Sequence, residues 1–453
     1  MKRWSVSPLA CGHPRRGFVR PLACAAGLLL AFCGWLTPAG AQEDLWVPDI
    51  PLTRDAPVSA RALGMGGAYI AVSDDATALR YNPAGLARIQ RIEFLGTLSD
   101  LRRTSETSFH EQPAENELSR TRISAVGFAY PFPTYRGSAV IALGYMAPWP
   151  LDLQYGRSAD FDGRSIQEDL FEEGQIGEYS AGGAIDVSPT LSVGARATWI
   201  HGERTQDWVY RDLAGGFDTH DIFQGDIDGY TGSLGALARV SDWGRLGVVL
   251  DLPRYLNMEG SIVDIYGDSY SVDEDITLPF RVGLGLSATL PNLLLTGDAR
   301  FTDWSQIDYE GPLRYQETPG DPDSRRLLAY KRTWDVHAGG EYLLDSFGLA
   351  GVRVRAGVAW EPVPYRILLE DAFLQEVTPQ QGEEPTYTAV PVYWAADFDP
   401  DRFLWTAGVG VLIAQSLTVD AAYSSGHFTR TGSDLREKES ERRLLVTVGF
   451  RLE

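Results

Sequence analysis

Cysteine is missing from most of this chain: all three, Cys11, Cys24 and Cys33, lie in the first 41 residues. The rest can form no disulfide and no cysteine-ligated metal site. Histidine is scarce too, and His110, His201, His220, His337 and His427 are scattered without i, i+4 pairing. They read as solvated or lining an interior, with no metal bound. No Gly-x-Ser-x-Gly nucleophile signature occurs, and the glycines around Gly66 lack the strand-and-helix setting of a dinucleotide fold. Acidic clusters such as Asp226-Ile227-Asp228-Gly229 and Asp273-Glu274-Asp275 match no full calcium loop. The expectation is no catalysis, no cofactor and no metal.

Basic residues are few beside acidic ones, 40 Lys+Arg against 61 Asp+Glu. Residues 1–41 hold five of the basic and none of the acidic residues, leaving 35 against 61, a net charge of −26, for residues 42–453. That balance excludes nucleic-acid partners, which select basic surfaces. Residues 1–41 read as an export signal. Arg15, Arg16 and Arg20 precede the apolar stretch Leu22–Leu36, and Ala39-Gly40-Ala41 offers a cleavage site before Gln42. Nothing after residue 41 approaches the ~20 apolar residues of a membrane-spanning helix.

What the chain does have, from Ile92 to Leu452, is a rhythm. In Phe280–Leu290 one face carries Phe280, Val282, Leu284, Leu286, Ala288 and Leu290, and the other Arg281, Gly283, Gly285, Ser287 and Thr289. The last segment opposes Leu444, Val446, Val448, Phe450 and Leu452 to Arg443, Leu445, Thr447, Gly449 and Arg451. Strands are predicted near 92–99, 121–131, 136–147, 176–187, 191–203, 226–240, 244–253, 277–290, 293–303, 329–343, 351–361, 402–413, 416–427 and 438–452. Short connections such as Pro131-Phe132-Pro133, Ser188-Pro189 and Pro291-Asn292 alternate with long acidic ones. A soluble sandwich alternates along its strands but has no reason to alternate its loop lengths. A membrane barrel does, because its long loops collect on one side. Residues 92–453 are therefore expected to form an all-β, transmembrane, antiparallel barrel of about 14 strands, set in outer-membrane lipid.

Residues 42–91 differ. Gly64, Gly66 and Gly67 allow tight turns and close approach to a wall. Asp75 is expected to cap a helix over Ala76–Tyr81 that Pro83 stops. A fourteen-stranded lumen is too wide for strand side chains to fill, so this segment suits a plug. The alternative is a lead-in outside the barrel.

The run "ARALGMGGAYIAVSDDATALRYNPAGLARI", residues 60–89, resembles the N-terminal hatch of FadL/TodX-type outer-membrane transporters of hydrophobic compounds. The stretches "TGDARFTDWSQIDY" (296–309), "VRAGVAWEPVPY" (354–365) and "PDRFLWTAGVG" (400–410) are similar to that family as well. The resemblance implies uptake of long-chain fatty acids or other hydrophobic small molecules, by passive diffusion past a hatch with lateral exit. It places Asn82, Pro83, Ala84 and Gly85 in the hatch motif, and a wall kink in the third strand, where Gly144 is a candidate. Ile222, Phe223, Ile262, Ile265 and Tyr266 are candidates for a capture groove in loops expected at 204–225 and 254–276. Their acidity leaves a neutral hydrophobe open as cargo. PorV-like secretion partners share the N-terminal motif, so a role as protein partner or shuttle is the alternative.

Overall fold

The computed structural model describes residues 55–109, 112–161, 164–212, 218–263, 267–310, 328–344, 351–377, 386–395, 401–431 and 435–452. The predicted export signal and residues 42–54 lie outside them. Helices α1 (Ala60–Gly64) and α2 (Ala78–Tyr81) and a 3-10 helix, Pro83–Arg88, come first.

Among the described residues, twenty-one strands follow. They are β1 (Ile92–Phe109), β2 (Gln112–Pro131), β3 (Ala139–Pro150), β4 (Leu153–Phe161), β5 (Arg164–Ser188), β6 (Leu191–Asp212) and β7 (Asp218–Arg239). Next come β8 (Gly244–Asp251), β9 (Arg254–Val263), β10 (Ser269–Leu278), β11 (Arg281–Thr289), β12 (Leu293–Asp303), β13 (Asp308–Glu310) and β14 (Leu328–Tyr330). The last are β15 (Arg332–Leu343), β16 (Val352–Glu361), β17 (Tyr365–Val377), β18 (Thr386–Ala395), β19 (Arg402–Ile413), β20 (Leu417–Thr431) and β21 (Leu435–Leu452).

Fourteen of these form a closed antiparallel ring in the order β1-β2-β3-β5-β6-β7-β8-β11-β12-β15-β16-β19-β20-β21. Strand β21 pairs back onto β1 from Ile92↔Leu452 to Phe109↔Leu435, so the ring has no free edge. The remaining strands extend the wall at the long-connection end or form a small separate sheet, β14-β17-β18.

Alternation decides which way each residue faces. Leu284, Leu286, Trp334, Val336, Leu444, Val448 and Phe450 are exposed on the outside, whereas Asp298, His337, Glu341, Arg355, Arg443 and Thr447 are buried within. Aromatic pairs such as Phe301–Trp334 and Trp405–Tyr423 meet at tilted angles on that outer surface. An apolar exterior around a polar lumen is what a lipid environment requires of a barrel.

The stretches expected as loops at 204–225 and 254–276 are a correction. Strands β6 and β7 run to Asp212 and from Asp218, and β9 and β10 pair as a hairpin across most of the second stretch. The 25 residues of β5 rise about 80 Å at ~3.3 Å each, far beyond the ~9–11 residues of a crossing. Beyond the lipid the outward face of a strand meets water and no longer has to be apolar. The apolar alternation that marks the membrane part then disappears, and with it the sequence signal.

Leu284 lies near the middle of β11 and is 44% exposed. Leu284→Arg is expected to cost about 2–4 kcal/mol, as charges do near the bilayer midplane. Urea titration in phospholipid vesicles measures this, and an unchanged stability would contradict a lipid-facing position.

Candidate functional site

Residues 55–91 touch every one of the fourteen ring strands, which a segment can do only from inside. Ala60 N–H donates to Thr447 Oγ1 of β21 (2.8 Å), Gly66 N–H to Thr406 Oγ1 of β19 (3.0 Å), and Ala76 N–H to Glu93 of β1 (2.9 Å). Asp298 of β12 accepts from Tyr69 N–H (2.6 Å) and Ile70 N–H (2.9 Å), and His337 Nδ1 of β15 meets the Gly66 carbonyl at 2.7 Å. Leu79 fills the space over Gly144 of β3 and Gly182 of β5. Ala76 covers Gly127 of β2, Gly66 covers β16, and α1 lies against β20.

Glycine makes these approaches possible. Gly66 and Gly67 adopt φ of +68° and +82°, a region in which other residues are strained. A Cβ on Gly66 would stand 2.7 Å from the Val358 carbonyl oxygen. Wall glycines answer the segment. A Cβ would lie 2.8 Å from Gly66 Cα at Gly357, 2.8 Å from Met65 Cα at Gly339, and 2.7 Å from the Ile70 oxygen at Gly247. The sequence reading missed these wall positions. Their signal is a glycine on an inward-facing, otherwise polar register.

The Asn82-Pro83-Ala84-Gly85 run anchors the far end. Asn82 is fully buried; its amide donates to the Ile70 carbonyl (3.0 Å) and to Ala236 of β7 (3.2 Å), and its oxygen accepts from Ala84 N–H (3.1 Å). Pro83 starts the 3-10 helix where a missing N–H is harmless. The helix before it begins at Ala78, not Ala76, and Asp75 accepts from Thr77 N–H at 2.9 Å instead of capping the helix directly. A turn at 76–77, closed by Ala78 N–H donating to the Asp75 carbonyl (2.9 Å), displaces the start.

Two features lie above this segment, toward the long connections. The first is an apolar cluster of Trp149, Leu151, Ile176, Ile200, Phe223, Ile227, Leu256, Met258, Val272, Ile276, Leu278 and Trp304, with Ile262 packed against it. Of the groove residues expected from sequence, Phe223 and Ile262 are here. Ile222 points to the other face of β7 as the strand alternates, and Ile265 and Tyr266 lie outside the described residues. The second is a group of buried ions at the base of that cluster. Asp55 pairs with Arg80 and Arg281 (2.5 Å) and accepts from Trp149 Nε1 (2.7 Å). Arg196 bridges Glu178 (2.7 Å) and Asp251 (3.8 Å), and Arg281 also reaches Asp251 (3.1 Å). Burial would raise the Asp55 carboxyl, but Arg281, Arg80 and Arg254 hold it well below the usual range, so it stays an anion.

The wall is interrupted beside this group. Pairing of β3 with β2 stops at Ala125↔Met146, and with β5 it jumps from Met146 to Trp149. Gly144 itself is paired on both sides, to Gly127 and Ser180, and faces Leu79 in the lumen. The break therefore begins two residues after the glycine expected to kink, where Pro148 has no N–H to donate to the ladder. Past the break Trp149, Leu151 and Asp152 turn inward and are buried. Gln175 reaches across to the Ile123 carbonyl (3.2 Å), and Arg122 grips Asp152 with two bonds (3.1 and 2.7 Å). On the lipid side a groove of about 880 Å³ adjoins the break, lined by Val126, Leu143, Tyr145, Tyr179 and Trp199 among others.

Gly66→Ala places a side chain against the Val358 backbone and is expected to cost about 1–3 kcal/mol. Limited proteolysis should then cut within 55–91 while the barrel persists. Protection equal to the parent protein would contradict the seat described here.

No family model matches the sequence, and no curated protein does. Solved structures do. A Pseudomonas aeruginosa FadL homologue is 14% identical over 88% of this chain and 100% of its own, with a TM-score of 0.59. The P. putida toluene transporter TodX is 15% identical, covering 88% and 99%, with a TM-score of 0.56. The CymD monoaromatic hydrocarbon channel is 13% identical, covering 90% and 99%, with a TM-score of 0.52. The chain thus has the fourteen-stranded transmembrane barrel fold of the FadL/TodX-type structures.

Proposed function

We propose that this protein lies in the outer membrane and admits hydrophobic small molecules by passive diffusion, without catalysis. Residues 55–91 act as the hatch, the apolar cluster is the internal binding site, and the break in β3 is a side exit into the lipid. One observation carries this reading: an apolar cluster stands between a floor that touches every strand and a wall whose ladder is broken. A general porin needs an open, charged constriction instead. The FadL homologue and the toluene and monoaromatic-hydrocarbon proteins with this fold support a hydrophobic cargo. The arginines below the cluster suit an amphiphile with an oxygen-bearing head, such as a long-chain fatty acid, more than a bare hydrocarbon.

The side exit is testable by closing it. Native cysteine occurs only at positions 11, 24 and 33, so Ile123→Cys with Gln175→Cys gives a unique pair across the break. Joining them with a short bifunctional thiol reagent is expected to abolish uptake of a labelled hydrophobe by cells. Each single variant treated alike should transport normally. Full uptake by the joined protein would sink the lateral route.

A further inference from the structure

The arginine group under the apolar cluster holds an acid that belongs to the N-terminal segment, and its arrangement resembles an occupied binding site. Asp55 is joined to Arg281 of β11, Arg80 of α2 and Trp149 of β3. The fourth arginine is held less completely. Arg254 of β9 is 3% exposed and stacks over the Trp149 ring at 5.2 Å. Its Nη2 lies 3.9 Å from Asp55, and neither Nε nor Nη2 has a hydrogen-bond acceptor among the described residues. Arg254 shares the inward face of β9 with Leu256 and Met258, which belong to the apolar cluster. Four guanidinium groups (Arg80, Arg196, Arg254, Arg281) thus meet three carboxylates (Asp55, Glu178, Asp251). A buried cation with unused donors is costly unless an anion completes it.

Asp55 is also where the pocket meets the gate. The next residue, Ala56, donates its N–H to the Pro148 carbonyl at 2.8 Å, inside the segment where β3 leaves its neighbours. One short stretch therefore links the arginines, the N-terminal segment and the broken wall.

We infer that Asp55 is an internal stand-in for cargo, and that the carboxylate of an amphiphilic monocarboxylate exchanges with it on Arg254 and Arg281. The tail of such a ligand lies among Leu256, Met258 and Trp149. Its head takes the donors that Arg254 leaves unused and competes with Asp55 for the rest. Losing that pairing frees the start of the N-terminal segment from Trp149 and from the kinked part of β3. Cargo capture thereby loosens both the floor and the exit. This rests on the uptake reading and specifies it: the trigger is the head group, not the tail.

The test compares dodecanoate with dodecanol, which share a chain length and differ in charge. Binding is titrated on the full barrel in a non-ionic detergent, with heat-dependent gel mobility confirming that each variant is folded. Asp55→Asn keeps an oxygen for Trp149 Nε1 but removes the competing charge. It is expected to tighten dodecanoate binding about tenfold or more and leave dodecanol binding within about twofold. Arg254→Gln should weaken dodecanoate and spare dodecanol. If Asp55→Asn leaves the dodecanoate-to-dodecanol affinity ratio unchanged or lower, the exchange is wrong while uptake stands. If the parent protein binds neither compound, the uptake reading falls and the exchange with it.

Discussion

Close contact between two backbones governs this molecule. The N-terminal segment and the barrel wall approach to a distance that no side chain permits, at Gly66 against Val358, at Gly357 against Gly66 and at Gly339 against Met65. A fourteen-stranded ring encloses more space than inward side chains can fill. The chain fills it with residues 55–91, and glycine on both partners makes the fit. From that packing come a floor that meets every ring strand and the confinement of the apolar cluster to the space above it.

Charge is the second ingredient. The lumen buries ions that would be intolerable alone, and pairs them across elements distant in sequence. Arg355 joins Glu341 (2.7 Å) to Asp420 (2.6 Å), and Arg61 of the N-terminal segment reaches Glu341 (3.1 Å). Buried pairs of this kind add little net stability over apolar packing, but breaking one partner is costly. They fix the segment in one arrangement against the wall. The Asp55 group has the same character, with the difference that its fourth arginine is incompletely satisfied.

The sequence made the membrane part of the barrel legible because lipid enforces alternation. Leu284 and Leu286 face out and Arg281 and Ser287 face in, as their spacing indicates. The turns were equally plain, since proline and glycine punctuate them. The extended ends of β5, β6 and β7 were not legible, because no lipid meets them and nothing enforces an apolar outward face there. The wall glycines Gly247, Gly339 and Gly357 carried little signal of their own, because their meaning depends on the backbone packed against them. The break in β3 was placed at Gly144, the residue with the most freedom. It falls instead at Met146 to Trp149, where proline interrupts the ladder. The arginine group was invisible from sequence, since Asp55, Arg80, Glu178, Arg196, Asp251, Arg254 and Arg281 are brought together only by closing the ring.

Electrical recording from single barrels in a planar bilayer tests the central claim most directly. A lumen stoppered through contacts with all fourteen strands is predicted to pass no steady ion current at low voltage. A sustained open-pore current through the intact protein, of the kind a water-filled barrel of this width carries, would contradict it.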